Sequence, residues 1–101
     1  MRLVTKENDT LNIKVNFFAG FKEIFKAAGV QIELEAGANI RDLLNLLCDS
    51  YKCREKIFDN SRLRPSLLIV KNGRHIQHLH GLETELAEGD NVSIFPPAAG
   101  G

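Results

Sequence analysis

The sequence predicts an α+β fold in which a mixed sheet of four to five strands packs on one main helix. Two segments near the amino terminus alternate apolar and polar residues, as strands with one buried face do. Residues 40–51 repeat apolar residues at helical spacing, and Asn72-Gly73 separates two later apolar segments as a hairpin turn would. The chain has 101 residues, of which 44% are apolar, so it is long enough for one core and too short for two.

The charge balance and the hydropathy exclude several classes of partner. Thirteen Lys and Arg residues are matched by thirteen Asp and Glu residues, so the net charge gives no reason to expect nucleic acid or an anionic membrane as a partner. No segment approaches the ~18 consecutive apolar residues that cross a bilayer. Residues 1–9 lack the apolar core of an export signal. We therefore expect a cytoplasmic protein.

The first elements are predicted as a strand, a short helix and a strand. Residues 1–10 are mostly polar and aperiodic, which is typical of a flexible amino-terminal extension. Residues 11–17 alternate as a half-buried strand, and residues 21–28 have the spacing of a short helix that stops at Gly29. Residues 30–35 alternate again, which predicts a second half-buried strand.

The main helix is predicted over residues 40–51, with Asn39 as its N-cap. Cys48 falls on the apolar face of this helix, where a small buried side chain is expected. Cys53 lies where the helix ends, and we expect it to be exposed. Their spacing is too long for a zinc half-site, and there is no second pair. The apolar face of the helix consists of Ile40, Leu43, Leu44, Leu47 and Tyr51.

A connecting loop and a hairpin are predicted after the main helix. Residues 52–65 are polar, with a helical turn around Ile57-Phe58. Residues 67–70 form a continuous apolar segment, as in a strand near the centre of a sheet. Asn72-Gly73 follows directly and leads to a further strand at Ile76, because both turn residues tolerate the positive φ of a type I′ turn.

The last strand completes the predicted topology. Val92 and Ile94 alternate with Ser93 and Phe95 after a turn at Gly89-Asp90. Pro96-Pro97 ends this strand, because proline has no N–H to donate to a neighbouring strand. With the main helix after the first two strands, a ubiquitin-like β-grasp is the economical arrangement. Its first and last strands then lie parallel in the middle of the sheet. The predicted domain spans residues 11–96, followed by an extended tail over 97–101.

A conventional active site is not evident in the sequence. Gly-Gly occurs only at the end, where no helix follows to bind phosphate. On a strand, His75 and His78 would point to opposite faces, whereas His78 and His80 could share one. No patterned carboxylate or thiol completes a ligand set, so we predict no metal site. No residues resemble a nucleophile with its base and orienting group.

The carboxyl-terminal segment is the most informative part of the sequence. A terminal Gly-Gly would arise by chance in about half a per cent of chains at average glycine usage. The prolines stiffen the exit from the last strand, and the next four residues have no side chain larger than a methyl group. Such a tail could pass through a narrow channel and deliver its carboxylate to another protein. The candidate residues are Pro96, Pro97, Ala98, Ala99, Gly100 and Gly101.

Strand parity places two aromatic rings beside this exit. If residues 11–17 direct their apolar side chains to the helix, Phe18 points to the opposite face of the sheet. If Val92 and Ile94 face the helix, Phe95 also points outward. We interpret Phe18 and Phe95 as an apolar docking patch, since exposed aromatic patches mark interfaces. The alternative is that local loops cover one or both rings.

Four segments together resemble the small subunit of molybdopterin synthase. The same segments are similar to the small ubiquitin-like modifiers of archaea and bacteria in that group. They are Phe-Phe-Ala at 17–19, Val-Lys-Asn-Gly-Arg at 70–74, residues 81–90 ending in Gly-Asp, and residues 92–101 with Phe-Pro-Pro and the final Gly-Gly. The resemblance covers roughly residues 11–101, and the ending is its most specific part.

The resemblance implies that the chain is a sulfur carrier. In this family a ubiquitin-activating-type adenylating enzyme uses ATP to form an acyl-adenylate at the terminal glycine, here Gly101. A persulfide sulfur then displaces AMP and leaves a thiocarboxylate, while Gly100 allows close approach. The acceptor is the large subunit of molybdopterin synthase or another sulfur acceptor. ATP and magnesium belong to the activating enzyme, so this chain binds no cofactor and is not a catalyst by itself.

Two other functions stay open. In a protein modifier, the same activated glycine would form an isopeptide bond with lysines of other proteins. In a plain β-grasp interaction module, the Gly-Gly ending would be idle. The sequence does not separate carrier from modifier, because both reactions begin with the adenylate.

Overall fold

The computed structural model describes residues 10–96, which form one mixed sheet with its helices on one face. The helices are α1 (Gly20–Phe25), α2 (Ile40–Tyr51) and α3 (Arg54–Ile57), with single 3₁₀ turns at Ile76–His78 and Gly81–Glu83. The strands are β1 (Thr10–Phe17), β2 (Gly29–Glu35), β3 (Phe58–Asp59), β4 (Arg62–Leu63), β5 (Leu68–Lys71), β6 (Arg74–His75) and β7 (Asn91–Phe95).

The five-stranded sheet has the order β2-β1-β7-β5-β6, and β3 and β4 form a separate small hairpin. The central strands β1 and β7 are parallel, and the other neighbours in the sheet are antiparallel. This arrangement confirms the predicted ubiquitin-like β-grasp, in which the first and last strands lie side by side at the centre.

The core lies between this sheet and α2. Alternate residues of β1 and β7 face the helix, which contributes the predicted apolar positions at i, i+3, i+4 and i+7. None of the helices within residues 10–96 is long and apolar enough to cross a bilayer. The core side chains with no exposed surface are Ile13, Val15, Ile40, Leu43, Leu44, Leu47, Ile57, Val92 and Ile94.

The start of α2 is fixed by a reciprocal capping box, which confirms Asn39 as the N-cap. The Asp42 backbone N–H donates to Asn39 Oδ1 at 2.9 Å, and the Asn39 backbone N–H donates to Asp42 Oδ2 at 3.0 Å. Two N–H groups that the helix cannot pair internally are thereby satisfied. The helix ends at Tyr51, and its C-cap residue Lys52 adopts the left-handed conformation at φ 54°.

The predicted end of the short helix at Gly29 is wrong. Helix α1 ends at Phe25, and Lys26 takes the left-handed conformation at φ 58° with its N–H donating to the Lys22 carbonyl. Gly29 is instead the first residue of β2. A Cβ atom there would lie 3.0 Å from the Val15 carbonyl oxygen, so glycine permits the close approach of β2 to β1.

The hairpin at Asn72-Gly73 is confirmed, but the strand predicted beyond it is wrong at Ile76. Asn72 and Gly73 have φ values of 50° and 87°, as a type I′ turn requires. Strand β6 has only two residues, and Ile76 begins a 3₁₀ turn. The His75 ring ends the strand by accepting a hydrogen bond at Nδ1 from the Gln77 N–H at 3.0 Å.

The segment predicted as a loop over residues 52–65 is more ordered than expected. Helix α3 forms the predicted helical turn, although it ends at Ile57 rather than extending through Phe58. The hairpin of β3 and β4 follows and turns at Asn60, which has a φ of 62°.

Candidate functional site

The aromatic pair predicted by strand parity is present on the face of the sheet opposite α2. The rings of Phe18 and Phe95 stack with their centroids 4.3 Å apart and their planes 11° from parallel. Phe18 is 38% exposed, and Phe95 is half-buried. The predicted proximity is confirmed, whereas the role of the pair in docking stays a prediction.

The position of Phe18 follows from its neighbour in the sequence. Phe17 is 1% exposed and stacks on Phe25 of α1, with centroids 4.1 Å apart and planes 10° from parallel. Because successive side chains of a strand point to opposite faces, burying Phe17 directs Phe18 outward. The parallel register pairs Phe17 with Ile94, so the next residues of the two strands, Phe18 and Phe95, meet on the outer face.

Leu68 extends this aromatic pair across the sheet. It is the antiparallel register partner of Phe95 and is half-buried, so its side chain lies on the same face. We call Phe18, Phe95 and Leu68 the outer patch. Leu68 is not among the residues predicted for this surface, because a continuous apolar segment over residues 67–70 does not show which side chains face outward.

The outer face becomes mostly polar one register row away from the outer patch, where the half-buried Val70 is the apolar member. Asn16 and Ser93 are register partners in that row, and Asn16 Nδ2 donates to Ser93 Oγ at 3.4 Å. In the following row, Lys14 is paired with Asn91 and both are exposed. The outer patch is therefore a compact apolar area at one end of a polar sheet surface.

The chain leaves the sheet beside the outer patch. Pro96 follows Phe95 directly and is half-buried. The remaining predicted residues, Pro97, Ala98, Ala99, Gly100 and Gly101, lie outside the described residues, as do residues 1–9 of the predicted extension. Of that predicted extension, Thr10 belongs to β1.

Neither cysteine is suited to carry sulfur. Cys48 is buried as predicted, but the exposure predicted for Cys53 is wrong, since it is 4% exposed where α3 begins against α2. Burial raises the pKa of the Cys48 thiol to about 11, and burial also raises the pKa of Cys53. Because the thiolate is the nucleophile, both groups are poorly reactive near neutral pH.

The histidines are arranged differently from the prediction. His75 and His78 were expected on opposite faces of a strand, but the chain turns after His75 and their ring centroids lie 5.9 Å apart. The backbone N–H of His80 donates to Thr84 Oγ1 at 3.0 Å. Across residues 10–96, no group of three or more His, Cys, Asp or Glu side chains is placed to hold a metal ion.

Comparisons with known proteins agree with this geometry. Residues 15–101 match the model of the ThiS family. The chain is 33% identical over 92 residues to small archaeal modifier protein 3 of Haloferax volcanii, with 90% of this chain and all of that protein covered. It is 27% identical over 95 residues to the molybdopterin synthase sulfur carrier subunit of Drosophila yakuba, covering 94% of this chain and 97% of that protein.

A solved structure of a related protein has the same fold as this chain. The solution structure of small archaeal modifier protein 1 from Methanosarcina acetivorans matches with a TM-score of 0.79 and 31% identity, covering 91% of this chain and 98% of that one. The chain therefore belongs to the ThiS family of ubiquitin-like sulfur carrier proteins.

Proposed function

We propose that this protein donates sulfur in molybdopterin synthesis through a thiocarboxylate at Gly101. The stacked Phe18–Phe95 pair supports the proposal, because it places aromatic surface suited to docking at the base of the tail. A partner enzyme that covers this pair would hold the tail base in place. The reacting carboxylate, six residues beyond Phe95, would then lie within reach of the partner that binds this surface.

The proposed chemistry requires activation of the Gly101 carboxylate, which is a poor electrophile. A ubiquitin-activating-type enzyme would transfer AMP from ATP to the carboxylate and release pyrophosphate. The terminal sulfur of a persulfide would attack the acyl carbon and expel AMP. A thiol would then reduce the resulting acyl disulfide, which leaves the thiocarboxylate on Gly101 and a disulfide on the enzyme.

The composition of the tail fits this use. Ala98, Ala99, Gly100 and Gly101 present no charge and nothing larger than a methyl group, so a narrow channel could enclose them without burying an unpaired polar side chain. ATP and magnesium would be bound by the activating enzyme. In this proposal the chain is a carrier in the cytoplasm, not a catalyst and not a binder of a cofactor.

The proposed sulfur acceptor is the large subunit of molybdopterin synthase. The Drosophila yakuba relative is named as the sulfur carrier subunit of that synthase, and the alignment covers nearly all of both chains. An acceptor of this kind would dock on the outer patch after the activating enzyme has left. The same apolar surface would thus serve two partners in turn.

A second candidate function is protein modification, which is favoured by a different observation. The Haloferax volcanii relative, at 33% identity, is named a modifier protein. In this function a lysine amine rather than a persulfide would attack the activated Gly101 carbonyl and form an isopeptide bond. The two functions share the activation step and differ in the nucleophile.

The proposal predicts a defined change in mass. The chain incubated with its activating enzyme, ATP and a persulfide donor should gain the mass of one oxygen-to-sulfur exchange, as measured by intact-protein mass spectrometry. A matched chain with one alanine added after Gly101 should show no change. Failure of the unmodified chain to gain mass, while a known carrier reacts in parallel, would contradict sulfur transfer and favour an idle tail.

A digest of cellular proteins distinguishes carrier from modifier. The last Lys or Arg of the chain is Arg74, so trypsin would leave residues 75–101 on a modified lysine. A protease that cuts after glutamate would leave only residues 89–101, because Glu88 is the last glutamate. Lysines that carry this remnant would support the modifier function, and their absence from cells that make the thiocarboxylate would support the carrier.

A further inference from the structure

A cavity of about 310 Å³ lies where three distant segments of the chain meet. Phe21 and Ile24 of α1 and the tail-base residue Pro96 provide apolar walls. Lys56 of α3 and Arg64, just after β4, provide cationic side chains, and Glu55 is also part of the lining. The volume is at the lower end of the range for binding sites, roughly 300–1,000 Å³.

The cationic groups of this cavity are available to a ligand. Arg64 Nε donates to the backbone carbonyl oxygen of Glu55 at 2.6 Å, which holds the guanidinium in place. The ion pairs within residues 10–96 are Arg41–Glu83, Arg54–Asp49 and Lys71–Asp90. Lys56 and Arg64 are both exposed and take part in none of them.

Positive charge is concentrated in the two segments that surround the cavity. Residues 20–26 and 52–64 together contain seven Lys and Arg residues against three Asp and Glu residues, although the whole chain is balanced. The chain is therefore electrically polarised, with its basic part beside the exit of the tail. Such a local excess attracts an acidic surface and speeds its association.

We propose that this cavity is a docking site for an acidic segment with an apolar side chain, carried by the enzyme that activates Gly101. The apolar side chain would lie against Ile24 and Pro96, and flanking carboxylates would pair with Lys56 and Arg64. The inference rests on the proposed function and adds a second contact, separate from the outer patch.

The lining favours a protein segment over nucleic acid. Affinity for nucleic acid is built mainly from several phosphate contacts, and this cavity offers two cations. The Glu55 carboxylate in the lining would also repel a phosphate backbone. The apolar walls have no counterpart on a phosphate but fit a leucine or phenylalanine side chain.

The test measures activation of the chain by pyrophosphate exchange into ATP, with the adenylating enzyme from the same organism. Lys56→Glu should raise the KM for this chain about tenfold at low ionic strength with kcat unchanged, because the docking contact does not include the reacting carboxylate. The difference from the native chain should shrink as salt is added. Lys56 is exposed, so urea unfolding should show an unchanged fold.

Arg74→Glu provides the matched control. Arg74 is equally exposed and makes no ion pair within the described residues, but it lies on the edge strand β6. Its KM should stay within about twofold of the native value. Equal effects of the two variants would overturn the site in favour of general charge attraction, and an unchanged KM for Lys56→Glu would overturn it outright.

The remaining outcomes separate the docking site from the proposed function and from nucleic-acid binding. No exchange with the native chain would contradict the proposed function and the docking site together. Exchange with an unchanged KM would contradict the docking site alone. The native chain could instead bind bulk tRNA, and Lys56→Glu could lose this binding while its KM in activation stays unchanged. That result would assign the cavity to nucleic acid and overturn the proposal.

Discussion

Phe17 and Phe18 are adjacent in the sequence and differ completely in environment. Phe17 is buried in the core and stacks on Phe25, whereas Phe18 is 38% exposed and stacks on Phe95. An aromatic stack contributes about 0.5–1.5 kcal/mol beyond the area that it buries. The outer pair is therefore stable enough to be ordered before a partner binds, so little side-chain entropy is lost on binding.

Replacing Phe95 by alanine should weaken partner binding much more than it affects folding. We expect the Kd for the activating enzyme to rise at least tenfold, because aromatic anchors of an interface carry much of its binding energy. The free energy of unfolding should fall by only about 1–2 kcal/mol, since the ring is half-buried. Isothermal titration calorimetry and urea unfolding measure the two quantities.

Leu46→Ala is the matched control for that experiment. Leu46 is 38% exposed and so more accessible than the half-buried Phe95, but it lies on α2, on the other side of the sheet. Its removal should leave the Kd unchanged. If Phe95→Ala unfolds the domain, or if both variants weaken binding equally, the outer patch is not the docking surface.

At the scale of elements, the sequence predicts the features that depend only on the pattern of neighbouring residues. The alternation in β1 and β2, the periodicity of α2 and the Asn72-Gly73 turn each follow from local geometry. The end of α1 does not, because it depends on a lysine in the left-handed conformation rather than on the nearby glycine. Local patterns carry no signal for that choice.

The outer patch and the cavity at Pro96 also differ in how well the sequence predicts them. Strand parity locates Phe18 and Phe95 because two strands in known register suffice. The cavity at Pro96 is formed by α1, α3 and the end of β7, whose packing no local pattern describes. Cys53 is buried for a similar reason, since α3 begins directly after it and covers it.

The capping box of α2 predicts a measurable loss of stability. Asn39→Ala removes the side-chain acceptor of the Asp42 N–H, which should lower the free energy of unfolding by about 1 kcal/mol. Activation of Gly101 should keep its kcat, because Asn39 is not part of the outer patch. Urea unfolding measures the loss. An effect below about 0.3 kcal/mol would show that the box contributes little here.

Asn39→Asp separates the cap from other contacts of the same side chain. Aspartate also accepts the N-cap hydrogen bond but cannot donate, and Asn39 Nδ2 donates to Glu83 Oε1 at 3.4 Å. Recovery of most of the stability in Asn39→Asp would assign the loss to the cap. Equal losses in both variants would assign it to the contact with Glu83.

At the scale of the whole molecule, the strand order of the sheet determines where the chain leaves the domain. Strand β7 lies between β1 and β5 and pairs with both, and its Val92 and Ile94 side chains are fully buried. The chain thus leaves the domain from a central strand rather than from a frayed edge. A partner that binds the body consequently binds a fixed starting point for the tail.

Two truncations separate the folding role of β7 from the proposed chemical role of the ending. Removing Gly100 and Gly101 should change the free energy of unfolding by less than about 0.5 kcal/mol, because every buried residue of the core precedes them. Thiocarboxylate formation should be lost completely. Removing residues 91–101 takes away the central strand, so the cooperative urea transition itself should disappear. Sulfur transfer to the chain that lacks Gly100 and Gly101 would show that Gly101 is not the reacting group, even though its domain folds.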